Sequence, residues 1–137
     1  MVVRYQDVSN FYSVHPHSNA ITIYEYWDEK YAQKAVGYIT MIVPGQSYHL
    51  QVITDSNTIS VYWNNQYVVS WTDNTSPWLS GKVGFRKYGG SNVRCLPANL
   101  YGGGQCFTAM SFAYTGFAFT SYGFMSLEQF LQYFHAL

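Results

Sequence analysis

The hairpin in the middle of the chain constrains the fold more than any other feature. Residues 58–63 and 66–71 are two aromatic and β-branched runs separated by Asn64-Asn65. Both asparagines tolerate positive φ, which the two central positions of a type I′ loop require. Side chains alternate across a strand, so Ile59, Val61 and Trp63 share one face, and Ser60 and Tyr62 the other. A chain with one such half-apolar hairpin needs further strands to cover its apolar face.

The remaining runs supply them. Residues 11–15 form a strand stopped by Pro16 and by Ser18-Asn19, and residues 20–27 alternate Ile21 and Ile23 with Thr22 and Tyr24. Asp28-Glu29-Lys30 reads as a charged turn, and residues 35–43 as a run closed by Pro44-Gly45-Gln46. Residues 48–54 precede the turn Asp55-Ser56-Asn57. After the hairpin come a loop over 73–80, a strand over 82–88 ended by Gly89-Gly90, and a last strand over 93–96 before Pro97. About eight strands at this spacing predict an all-β chain with an antiparallel sandwich over residues 1–96.

Composition limits the function classes. The net charge is zero, and charged residues make up 10% of the chain, against roughly 25% in ordinary domains. Nucleic-acid binding, which needs a basic face, is not expected. Aromatics reach 20%, with 14 Tyr, 9 Phe and 4 Trp, a profile that suits an extracellular or cell-surface β-domain. Met1-Val-Val-Arg4 runs straight into polar residues with no apolar leader. All charged side chains but Glu128 lie within residues 1–94, which sets residues 97–137 apart as an uncharged aromatic tail. Its segment 107–125 is long enough to cross a bilayer, but lacks flanking Lys and Arg. A helix or strand packing on an open face of the sandwich is the leading expectation for it, and out-of-frame translation that does not fold well is the third. Ser126 and Gln129 form a capping box ahead of Leu127, Phe130, Leu131, Phe134 and Leu137, predicting a short amphipathic helix over about 126–137. Cys95 and Cys106 are two thiols that either pair or stay reduced.

Arg4-Tyr5-Gln6-Asp7 followed by Asn10-Phe11-Tyr12 resembles a strand of concanavalin A-like lectin/glucanase, or laminin-G-like jelly-roll, domains. Residues 48–52, 57–62, Val68-Val69, Thr72-Asp73 and 81–86 resemble the same domains, in order and at sensible spacing. The chain is similar also to the domain of the 3-keto-disaccharide hydrolase family. The resemblance covers about residues 2–94 and implies a partial jelly-roll β-sandwich. Such domains have strands before the "RYQD" segment, so the resemblance implies an N-terminally truncated jelly roll with open sheet edges. It admits calcium as a cofactor, with Asp7, Asp55, Asn57 and Asp73 as loop oxygens, but no spaced calcium loop is visible.

A glycosidase needs two carboxylates roughly 5 to 9.5 Å apart. The one acidic cluster, Glu25-Tyr26-Trp27-Asp28-Glu29, has Trp27 and Lys30 where jelly-roll glucanases carry Asp and Glu, and an extended strand points Glu25 away from Asp28. No catalytic residue is assigned. His15 and His17 face one side of a strand, but His49 and His135 are distant, and no metal site is assigned. Asn74-Thr75-Ser76 is a glycosylation sequon followed by Pro77. Sugars stack their C–H faces on aromatic rings, which makes Tyr62, Trp78 and Tyr88 the candidate ligand-binding residues. Core packing is the competing reading for each. The expected function is a non-catalytic carbohydrate-binding or adhesion module of a secreted or cell-surface protein, with an oligo- or polysaccharide as partner. A remnant of a saccharide-acting hydrolase and a structural protein-interaction domain, self-associating through open sheet edges, are the alternatives.

Overall fold

The computed structural model describes residues 1–85 and the backbone of four further strands, Val93–Cys95, Asn99–Tyr101, Cys106–Tyr114 and Gly123–Met125. The first half is a meander of β1 (Val2–Asp7), β2 (Asn10–His17), β3 (Ala20–Trp27) and β4 (Lys30–Tyr38). A second meander follows, of β5 (Ser47–Asp55), β6 (Thr58–Trp63) and β7 (Gln66–Thr72), and then β8 (Lys82–Phe85) returns to pair with β1. Two antiparallel sheets result, β8-β1-β2-β3-β4 and β5-β6-β7. The strands β9 (Val93–Cys95), β10 (Asn99–Tyr101), β11 (Cys106–Tyr114) and β12 (Gly123–Met125) extend them. Of these, β12 lies beside β8, β11 beside β5, and β9 and β10 beside β11. Among the described residues the chain is all-β and sandwich-like.

Two-residue turns set this meander. Pairs Asp7↔Asn10, His17↔Ala20, Trp27↔Lys30, Asp55↔Thr58 and Trp63↔Gln66 each close a hairpin around two residues. Asn64 and Asn65 have φ of 50° and 66°, the left-handed pair that a type I′ loop demands. Asn64 also holds the end of β5: its side-chain oxygen accepts the His49 N–H at 2.9 Å, and its own N–H donates to the His49 carbonyl at 2.7 Å. At the first turn Asp7 Oδ1 accepts the Ser9 N–H at 2.8 Å.

Three sequence expectations change. The "RYQD..NFY" segment is not one strand: Val8-Ser9 turn it into the hairpin β1–β2. Pro16 does not stop β2, which runs on to His17. The Val14 N–H donates toward the Met1 carbonyl, so the Pro16 nitrogen, two residues on, points the same way, past the paired part of β1. No ladder hydrogen bond is lost there. The charged turn is only Asp28-Glu29, both at positive φ, and β4 begins at Lys30 rather than at residue 35. Residues 39–46 then cross to the second sheet, fixed by Ile39 N–H to Asn19 O at 2.9 Å and Ile42 N–H to Ser18 O at 2.7 Å.

The aromatic segment 97–137 contributes strands where it is described. All of β11 from Cys106 to Ala113 pairs with β5, and no helix among the described residues is long and apolar enough to cross a membrane. The expected helix over 126–137 lies outside the described residues. Cys95 is opposite Phe112 on β11, six positions from Cys106, or about 20 Å along a strand. A disulfide requires Cα atoms within about 7 Å, so this register does not join them.

Both sheets contribute to one core. Val3, Tyr12, Val14, Ile21 and Ile23 come from the first, and Leu50, Val52, Ile59, Val61, Trp63 and Val69 from the second. Each fully buried aliphatic side chain contributes about 1.5–3 kcal/mol. The sheets approach most closely where Gly37 of β4 meets β7. A Cβ at Gly37 would stand 2.8 Å from the Val68 carbonyl oxygen and 2.9 Å from Val69 Cβ, and closer still to Val68 Cγ1. Only a residue without a side chain lets β4 and β7 touch. Gly37→Ala is expected to cost about 1–3 kcal/mol by forcing the strands apart, read as a lower urea midpoint with an unchanged slope.

Candidate functional site

A buried polar junction locks one end of the sandwich. Tyr12 and Asp73 are each 1% exposed, and the Tyr12 phenol donates to Asp73 Oδ2 at 2.6 Å. Asp73 Oδ1 accepts the Thr75 N–H at 2.9 Å, the Thr75 hydroxyl at 2.7 Å and the Ser76 N–H at 3.3 Å. The loop from residue 73 to 81 is thereby wound around one carboxylate. Its far side is held by the first strand. The Trp78 N–H donates to the Tyr12 oxygen at 3.2 Å, Arg4 Nη1 donates to the Trp78 carbonyl at 2.7 Å, and Gln6 Nε2 donates to the Ser80 carbonyl at 2.5 Å.

Arg4 reaches this position through a bulge. Its φ is 51°, and the β1 register shifts around it against both β2 and β8. Burial pushes the Tyr12 phenol well above its ordinary range, and the Asp73 and Glu25 charges add to this, while the Trp78 N–H works the other way. Burial also pushes the Asp73 carboxyl up, but the Tyr12 hydroxyl and the Thr75 and Ser76 donors outweigh it and hold the group below the usual carboxylate value.

Trp78, a sequence candidate, belongs to this junction. Its ring packs on Tyr12 at 4.8 Å and stacks on Trp27 at 5.1 Å with planes 16° apart. Trp27 is the more open of the two, at 45% exposure. Glu25, on the same inward-facing row of β3, forms an ion pair with Lys34 at 2.6 Å. The Lys34 ammonium also sits 5.3 Å from the Trp71 ring centre. Asp28 lies three residues on in an exposed turn, so the acidic cluster of the sequence is divided between the sandwich interior and solvent.

Tyr62, the second candidate, faces outward from β6. It stands in one rung between Gln51 of β5 and Tyr67 of β7, and its ring meets Tyr67 edge-on at 5.7 Å and 75°. Ser60, Ser70, Thr58 and Thr72 continue this face in polar residues, with the two threonine hydroxyls 2.8 Å apart. Tyr88, the third candidate, lies outside the described residues.

Around the corner from Tyr62 is a pocket that sequence reasoning missed. Tyr38 at the end of β4 is 80% exposed and Tyr67 at the start of β7 is 60% exposed. Between them is a recess of about 240 Å3 lined by Tyr38, Ile39, Thr40, Trp63, Gln66, Tyr67 and Val68. Trp63, 5% exposed, forms its floor. That ring stacks on Tyr48 at 5.0 Å and 21°, and the Tyr48 oxygen accepts the Val43 N–H at 2.8 Å. The floor is therefore fixed by packing and by the crossover segment. Tyr67 stood among the hairpin aromatics in the sequence. Tyr38 carried no signal of its own, since its partner across the recess comes from the other sheet.

A further aromatic row, Phe11, Tyr26, Tyr31 and Tyr24 with His15, lies on the outer face of the first sheet. Phe11 is buried there, as are Val2, Ser13 and Thr22 on the same face, so this row is a packing surface. His17 contacts the Thr22 hydroxyl at 2.8 Å. Among the described residues no three His, Cys, Asp or Glu side chains cluster as a metal site would require; of the loop residues Asp7, Asp55, Asn57 and Asp73, Asn57 Nδ2 donates to the Asp73 carbonyl at 2.8 Å.

Tyr12→Phe is expected to cost about 1–3 kcal/mol, because the buried Asp73 oxygen loses its phenol donor, measured by urea unfolding at pH 7. Asp73 has a depressed carboxyl, so its contribution is complete above the unfolded value and is lost as pH falls below about 4 through the folded one. Asp73→Asn is expected to be less stable at pH 7 and to lose stability less steeply than the parent between about pH 4 and 2, in denaturant midpoints taken across that range. No family model, curated protein or solved structure matches this chain, so the functional reading rests on the chemistry of these residues.

Proposed function

We propose that the chain is a non-catalytic carbohydrate-binding module of a secreted or cell-surface protein, on a partial concanavalin A-like jelly roll. The observation that carries this reading is the outward tyrosine pair Tyr62–Tyr67, set among Gln51, Ser60, Ser70 and Thr72 on the second sheet. Pyranose rings present C–H faces that stack on aromatic rings, and equatorial hydroxyls that pair with amide and hydroxyl side chains. A flat, uncharged surface with both elements suits a saccharide. An oligo- or polysaccharide is the partner this reading implies. Hydrolysis is the weaker alternative, because Glu25 is held by Lys34 and the Asp73 carboxylate is taken up by Tyr12, Thr75 and Ser76.

The test is a thermal melt of the chain, followed by Trp fluorescence, with a panel of soluble oligosaccharides. Saturable binding of one sugar is expected to raise the midpoint, and Tyr62→Ala is expected to weaken that sugar by about fivefold or more. A cooperative melt that no sugar moves would exclude this reading and favour a protein-interaction domain.

A further inference from the structure

We propose that the recess between Tyr38 and Tyr67 receives one uncharged pyranose ring, which makes it the selective subsite of the binding surface. The inference rests on the carbohydrate-binding reading above and adds a site and a ligand class to it. At about 240 Å3 the recess falls just below the range of roughly 300–1,000 Å3 that holds drug-sized ligands, a size suited to a single ring. Two exposed tyrosines from edge strands of opposite sheets form its rim, and Trp63, held by Tyr48, forms its floor. Aromatic surfaces on more than one side are what a ring with C–H groups on both faces requires.

Beside the rim tyrosine hydroxyls, polar recognition falls to Thr40 and Gln66, a hydroxyl and an amide that can both donate and accept. Among the described residues no Lys, Arg, Asp or Glu lines the recess. A sugar carboxylate entering it would lose hydration with no cation to replace the water, so the lining selects against uronic acids. Tyr67 is shared between the recess and the Tyr62 rung, which places the neighbouring sugar of a longer glycan over Tyr62.

The experiment titrates the full chain with glucose, galactose, mannose, N-acetylglucosamine and glucuronic acid at pH 7, observed by saturation-transfer NMR. Parent, Tyr38→Ala, Tyr38→Phe and Tyr62→Ala chains are compared, with a thermal melt of each. At least one neutral sugar is expected to bind with a dissociation constant on the order of 1 mM, and glucuronic acid at least tenfold more weakly. Tyr38→Ala is expected to weaken the neutral sugar about fivefold or more, and Tyr38→Phe to stay within twofold. Tyr38 is 80% exposed, so both variants are expected to melt like the parent. Sugar binding that Tyr38→Ala leaves within twofold, while Tyr62→Ala weakens it, overturns the subsite and leaves the carbohydrate reading standing. Equal binding of glucuronic acid overturns the ligand class. Absence of binding by every sugar, in this panel and in the oligosaccharide panel, overturns both.

Discussion

The hydrogen bond between Tyr12 and Asp73 is the contact on which the rest of the structure depends. Tyr12 sits on the middle strand of one sheet and Asp73 at the end of the last strand of the other. Joining them closes that end of the sandwich, with Trp71 and Trp78 packed on the Tyr12 ring. A buried carboxylate is costly unless its oxygens are filled, and here the phenol, two backbone N–H groups and a threonine hydroxyl fill them. The same carboxylate shapes the loop that carries the chain back to β8. The strand pairing of β8 with β1 and the seat of Trp78 both follow from it. The phenol comes from β2 and the other donors from Thr75 and Ser76 of the following loop, so one carboxylate ties strand and loop together.

The opposite corner is held by sterics instead. There Gly37 brings β4 against Val68 and Val69, and the crossover 39–46 is fixed by hydrogen bonds to the Ser18-Asn19 turn. Close approach of the two edge strands places Tyr38 and Tyr67 on either side of one recess. Neither tyrosine is in the core, and both stand on backbone that packing and turn chemistry have already fixed. The candidate surface is thus a consequence of how two sheet edges meet. A chain in which β4 and β7 diverged would keep both tyrosines and lose the recess.

Period-two alternation made the strands legible in the sequence, and turn chemistry made the hairpins so. Ile59, Val61 and Trp63 face the core and Tyr62 faces out, as alternation requires. The Asn64-Asn65 loop has the φ values its residues suggest. Local rules misled where tertiary context decides. Pro16 is compatible with a strand because its nitrogen meets no neighbour, and Glu29 takes a positive φ that its side chain disfavours because the hairpin imposes it. The bulge at Arg4 has no sequence signature, since it is needed only to bring a guanidinium to a carbonyl from the far side of the loop. The recess was illegible for a related reason. Its two tyrosines are remote in sequence and lie on different sheets, so no window along the chain contains both. Tyr62 and Trp78 looked alike in the sequence, and the sheet register separates them. One is on a polar outer face, and the other lies against Tyr12 and Trp27.

Where the few charges stand explains why the tyrosine surface is neutral. Arg4 and Asp73 are buried at the loop junction, and Glu25 and Lys34 are paired beside Trp71. Asp7, Asp28, Glu29 and Lys30 cap the turns at the ends of β1 and β3. With a low total to begin with, these placements leave the corner recess without a fixed charge among the described residues, while Asp55, in the rung of Thr58 and Thr72, stands at the far end of the β6–β7 face. With no charge among the described lining residues, the proposed recognition at the recess would come from contact: ring stacking, hydroxyl and amide hydrogen bonds, and the shape of the gap between two side chains. Under the carbohydrate reading proposed above, such a surface would bind weakly per ring and discriminate by which hydroxyls and substituents fit between the tyrosines. The tryptophans serve the interior or its margin, with Trp63 as floor and Trp71 and Trp78 around the Tyr12 junction. Tyrosine on the rim keeps an exposed aromatic face compatible with water, because its hydroxyl stays hydrated while its ring remains available.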